Sequence, residues 1–115
     1  MTTIYGIKNC DTMKKAQRWL NDNNVTYVFH DYRKDGLTHE QVEQWIEVLG
    51  WENLINKRGT TWRQLDKTQQ ENMTDELAIS VLLDKPAMIK RPLLDHNGTL
   101  TLGFKPEQYS EIFGI

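Results

Sequence analysis

At 115 residues the chain is expected to form one compact domain over 1–115, and 14 Lys and Arg against 16 Asp and Glu leave a formal charge of −2. That balance supplies no general basic field for nucleic acid or an anionic membrane, no apolar run approaches the roughly 20 residues of a membrane span, and the N-terminus lacks the basic-then-apolar order of a secretion signal. The single cysteine, Cys10, excludes an internal disulfide and points to a reducing, cytoplasmic compartment.

The chain opens on "TTIY", in which Thr3, Ile4 and Tyr5 favour an extended backbone, and Gly6 marks a turn after it. From Asp11, the positions Met13, Ala16, Gln17 and Leu20 recur near helical spacing, with Lys14, Lys15 and Arg18 left for solvent and "NDNN" as the stop. "VTYVFHDY" predicts a second strand. Beyond the turn at Asp35 and Gly36, Thr38 with Gln41 three positions later caps a helix whose apolar stripe is Val42, Trp45, Ile46 and Leu49. "LINKRGTTWRQLDKTQQENM" has no long period and predicts short helical turns broken at Gly59. Thr74 caps "DELAISVLLDK", with Leu77, Ala78, Val81 and Leu82 on one face and Pro86 as its end. "LLDHNGTLTLG" predicts two strands around an Asn97, Gly98 turn, and Pro106 opens a closing helix that packs through Tyr109, Ile112 and Phe113. Trp19, Trp45, Trp51 and Trp62 have no basic, aromatic motif around them, so they are expected in packing or interfaces and not as base-stacking platforms.

A strand, a helix and a second strand in the same direction make a β-α-β unit, whereas the hairpin must pair antiparallel; a mixed sheet covered by helices satisfies both. This order puts Cys10 where the first strand meets its helix. The free amides of Asp11, Thr12 and Met13 then point toward the sulfur, and the positive helix end favours the thiolate. Free cysteines also fill cores as small apolar groups, so Cys10 alone is not diagnostic. Lys8, Lys14, Arg58, Arg91 and Lys105 are available to add positive potential, and Asn9 either stabilises the turn or begins the helix.

The segments "YGIKNCDTMKKAQRWL", "NKRGTTWRQL", "MIKRPLL" and "GFKPEQY", in that order, resemble the arsenate reductase-like (ArsC) family of the thioredoxin superfamily, especially its YffB and Spx branch. The resemblance implies an α/β, thioredoxin-like mixed four-stranded sheet with a helical insertion over approximately 35–85. It places the active cysteine at the first strand-to-helix turn and Arg91 before a cis Pro92, at the edge where the superfamily meets an extended peptide or glutathione. In glutaredoxin-coupled arsenate reductases of the family, the corresponding cysteine attacks arsenate, glutathione captures the arsenylated sulfur, and glutaredoxin resolves the mixed disulfide. Three arginines support that anion chemistry. Arg91 matches the second, Lys105 stands at the third and Asn56 at the first; lysine lacks the bidentate fork and asparagine lacks the charge. Arg58, two residues on, is a candidate to compensate.

In the Spx branch the resemblance implies binding to the RNA polymerase alpha subunit and a Cys-x-x-Cys switch. Here "CDTM" puts Met13 at the second cysteine's place, which removes the local disulfide. The economical reading is a glutathione-dependent thiol reductase in which Cys10 forms a mixed disulfide that an external thiol resolves. Arsenate reduction with glutathione and glutaredoxin and a noncatalytic Spx-like binding module are the alternatives. The substrate and anion site is expected among Asn9, Asp11, Thr12, Met13, Lys14, Asn56, Arg58, Arg91, Pro92 and Lys105. Glutathione is the expected cosubstrate, with glutaredoxin or a protein disulfide as possible partners, no tightly bound cofactor and no metal.

Overall fold

Strands β1 (Thr2–Gly6), β2 (Val28–Asp31), β3 (Leu93–His96) and β4 (Thr99–Leu102) form one sheet in the order β2-β1-β3-β4, in a computed structural model that describes residues 1–115. β1 pairs parallel with β2 and antiparallel with β3, and the β3–β4 hairpin is antiparallel. Asn97 and Gly98 both have positive φ, 53° and 91°, the conformation that a two-residue primed turn requires. Contacts divide the chain into two units, residues 1–35 with 91–115, and residues 36–90.

In the first unit, α1 (Asp11–Asp22) joins β1 to β2 and α7 (Pro106–Phe113) closes the chain. Met13, Ala16 and Leu20 of α1 meet Ile4, Leu94 and Tyr109 in a cluster with no exposed surface. Full burial of an aliphatic side chain contributes roughly 1.5–3 kcal/mol, so the stripe read at helical spacing in α1 is what fixes the helix to the sheet. Trp19, Phe104 and Phe113 border this core, with Trp19 edge-on to Tyr109 at 5.6 Å. Asn24, with φ of 56°, takes the left-handed conformation after α1, which asparagine tolerates and most side chains resist.

Gly6 differs from the sequence expectation. It ends β1 in register with Asp31 and has no positive φ, so it is not a turn residue. It is needed because a Cβ there would lie 2.8 Å from Met13 Cε and 3.0 Å from Met13 Cγ.

The second unit lies between β2 and β3 in the chain. α2 (His39–Leu49) has both bonds of its capping box: Gln41 N donates to Thr38 Oγ1 at 3.2 Å, and Thr38 N donates to Gln41 Oε1 at 3.0 Å. α2 packs on α6 (Asp75–Asp84), burying Val42, Trp45 and Ile46 with Ala78, Val81 and Leu82. Ile79 is buried in α6, while Leu77 is only half-buried. The irregular middle resolves into α3 (Trp51–Leu54), α4 (Thr60–Arg63) and α5 (Lys67–Glu71). Pro86 does stop α6, and it also begins a single 3-10 turn, Pro86–Met88. Residues 54–56 then pair with 88–90: Asn56 N donates to Met88 O at 2.7 Å and Lys90 N to Leu54 O at 2.8 Å. No helix is long and apolar enough to cross a membrane.

Candidate active site

Cys10 is the N-cap residue of α1, with an extended backbone of φ −106° and ψ 128°. Its carbonyl already accepts the first helical bond, from Lys14 N at 3.0 Å, so the thiol stands over the open amides of the first turn. Partial burial pushes the thiol's pKa up, but the Met13 amide, the Arg91 guanidinium and the Thr12 amide outweigh it, and the net displacement is downward. The thiol makes no cap bond of ordinary geometry. The amides act on the charged sulfur, a stronger acceptor than the neutral thiol. Arg91 contributes both a hydrogen bond and its charge.

The structure thus brings together Cys10, Thr12, Met13 and Arg91, with Pro92 directly after Arg91 and the Arg91–Pro92 bond cis. Met13 takes part through its amide alone, because its side chain is wholly buried in the core. Asp11 is exposed in the first turn of α1, Asn9 is exposed just ahead of it, and Lys14 points outward one turn further on. Lys105 is exposed at the N-cap of α7. Asn56 and Arg58 belong to the second unit. There Asn56 Oδ1 accepts from the Arg58 amide at 3.2 Å, closing a tight turn at Gly59, and the Arg58 side chain is exposed. In the same turn Lys57 Nζ lies 5.1 Å from the Trp51 ring and 5.9 Å from the Trp62 ring, which gives two of the tryptophans a cation–π role.

One buried residue that the sequence reading did not single out has an electrostatic link to Arg91. Tyr32 is 1% exposed, and its phenol is coupled electrostatically to Arg91. The two are far apart in the chain, and each lies just outside a strand, Tyr32 after β2 and Arg91 ahead of β3.

A mixed sheet in this order, with a cysteine at the first strand-to-helix turn, defines a thioredoxin-like α/β protein. Within that class the ArsC family model matches residues 5–112, and the chain belongs to the ArsC family. It is similar to a solved YffB protein, at 43% identity and a TM-score of 0.92, covering 96% of this chain and 97% of that one. A solution structure of an arsenate reductase (ArsC) related protein from Brucella melitensis is 46% identical, with a TM-score of 0.79, covering 99% and 95% of the two chains. The global transcriptional regulator Spx of Staphylococcus aureus is 23% identical over 94% of this chain and 83% of its own.

Proposed function

We propose that this protein is a glutathione-dependent thiol–disulfide oxidoreductase that works through one nucleophilic cysteine. The observation that carries the reading is the convergence of two backbone amides and the Arg91 guanidinium on the sulfur of Cys10, in a chain with no second cysteine. In the first step the Cys10 thiolate attacks the glutathione sulfur of a mixed disulfide. The Cys10–glutathione bond forms as the substrate's S–S bond breaks, and the substrate leaves as a thiolate that takes a proton from water. In the second step a glutathione thiolate attacks the adduct, forming oxidised glutathione and returning Cys10 as the thiolate. The sum is one glutathionylated thiol and one reduced glutathione converted to one free thiol and one oxidised glutathione.

Arg91 stabilises the sulfur anion at the start and end of this cycle and is the side chain suited to a glutathione carboxylate, with Lys105 as a less directional charge. A reducing cytoplasm is the compartment in which the cycle would run, with glutaredoxin or a protein disulfide as exchange partners. Mass spectrometry of the native protein after brief exposure to oxidised glutathione tests the first step. A 1:1 adduct that disappears in Cys10→Ser supports it, and wild-type protein without an adduct would refute it.

The resemblance to an arsenate reductase related protein favours arsenate as a second substrate class. Against it stand Asn56 and Lys105, which lack the guanidiniums implied by the family pattern. Arsenate-dependent turnover with glutathione and glutaredoxin separates the two enzymes. An Spx-like adaptor that binds the RNA polymerase alpha subunit would instead keep its partner affinity in Cys10→Ser.

A further inference from the structure

Asn97 and Gly98 form the loop between β3 and β4. An asparagine followed by glycine is disposed to cyclise, because glycine has no Cβ to shield the attacking amide. In that reaction the Gly98 nitrogen attacks Asn97 Cγ and gives up its proton, the side-chain nitrogen leaves as ammonia, and a five-membered imide remains. Water then opens the imide to aspartate, or to isoaspartate, in which the Cβ has entered the main chain. The sum is one asparagine and one water converted to one aspartyl residue and one ammonia.

Ring closure requires Gly98 N to lie alongside Cβ about the Asn97 Cα–C bond, at a ψ of about −120°, the value of the first loop position in a II′ turn. His96 pairs with Thr99, so the loop has two residues, and both have positive φ, 53° at Asn97 and 91° at Gly98. A II′ turn needs negative φ at the second position. Two positive values define type I′, in which ψ of the first residue is about +30°. The Gly98 nitrogen is thereby turned to the far side of the bond from the Asn97 carboxamide. Three hydrogen bonds hold this arrangement. Gly98 N donates to Asp95 Oδ1 at 2.8 Å, Asn97 N donates to Met1 O at 3.0 Å, and the Met1 amino group donates to Asn97 Oδ1.

We infer that Asn97 is a latent deamidation site gated by the β3–β4 hairpin: the native turn withholds the imide geometry, Asp95 keeps the Gly98 amide in place, and the reaction proceeds only when the turn opens. Solvent access is not the brake, since Asn97 and Gly98 are both exposed. Isoaspartate would lengthen the main chain of a loop whose two-residue length sets Leu93 opposite Leu102, so the register would not be restored by refolding. None of this depends on the thiol chemistry of Cys10.

The test incubates the native protein and a synthetic peptide of residues 94–100 at the same pH and temperature, and follows Asn97 by peptide mass spectrometry. Deamidation should be at least about tenfold slower in the protein, because each event waits for local opening. Equal rates would overturn the inference, and this comparison needs no variant. Asp95→Ala should raise the rate in the native protein toward that of the peptide, while the same replacement within the peptide leaves its rate unchanged. Hydrogen exchange of the Gly98 amide should quicken in that variant with exchange of the β1 amides unchanged, which a general loss of stability would not produce. A folded Asp95→Ala protein that deamidates no faster than wild type would also overturn the inference. Should Asp95→Ala fail to fold, the wild type in mild urea replaces it: deamidation at Asn97 should rise in proportion to exchange at Gly98, and a rate that does not follow the exchange contradicts the gate.

Discussion

Replacement of Gly6 by alanine tests how tightly the end of β1 is joined to the helix that carries the cysteine. The new Cβ would fall 2.8 Å from Met13 Cε and 3.0 Å from Met13 Cγ, against a side chain that is wholly buried. Met13 can shift only by displacing neighbours such as Ile4 and Leu94. Overpacking of this kind costs about 1–3 kcal/mol, and the lower unfolded-state entropy of alanine returns about 0.4–1 kcal/mol. A net loss of about 1–2 kcal/mol is expected, or about 4–8 °C in midpoint for a domain of this size. Urea denaturation of Gly6→Ala, Met13→Ala and the double variant supplies the cycle. Met13→Ala alone should cost about 2–5 kcal/mol. Adding Gly6→Ala to it should then cost nothing or recover stability, since the added methyl enters the vacated space. An equal penalty for Gly6→Ala in both backgrounds would refute the packing argument.

Three further outcomes follow from the same geometry. Arg91→Gln removes both the hydrogen bond and the charge at Cys10, so alkylation measured across pH should show its midpoint rise, with Arg91→Lys between the two because lysine keeps the charge without the planar fork. The pKa of Cys10 is lower folded than unfolded, so between the two values the unfolded chain binds more protons and stability rises with pH. The stability advantage of the reduced wild type over Cys10→Ser should therefore grow with pH through that window, level off above the ordinary thiol value, and vanish below the lowered one, as read by urea denaturation at several pH values. Thr38→Ala deletes the acceptor of the α2 capping box and should cost about 0.5–2 kcal/mol in the same assay.

The regular elements were legible because each had its own local signal. The capping box at Thr38, the proline at the start of α7 and the Asn97–Gly98 turn all act within four residues of themselves, and the structure has them where the residue types demand. Cys10 was legible for the same reason: its amides come from the next turn of its own helix. Gly6 misled because a missing Cβ has two uses, a permissive φ and a close approach, and only the packed position of Met13 distinguishes them. Met13 was read correctly as a core position by spacing, yet its amide also serves the sulfur, a role independent of side-chain type. Tyr32 stayed hidden because its burial and its electrostatic link to Arg91 arise from packing between segments far apart in the chain. Arg91 was reached through a motif resemblance and not through any period of its own.

The proposed cycle stands or falls on its second half, because Cys10 has no cysteine in its own chain to release it. The most direct measurement is the rate at which reduced glutathione regenerates free thiol from the preformed Cys10–glutathione adduct, against the same adduct on a small unstructured cysteine peptide at matched pH and thiol concentration. An activated leaving sulfur, stabilised by the Met13 and Thr12 amides and by Arg91, predicts faster resolution on the protein, with release of oxidised glutathione. Resolution no faster than on the peptide would contradict the account.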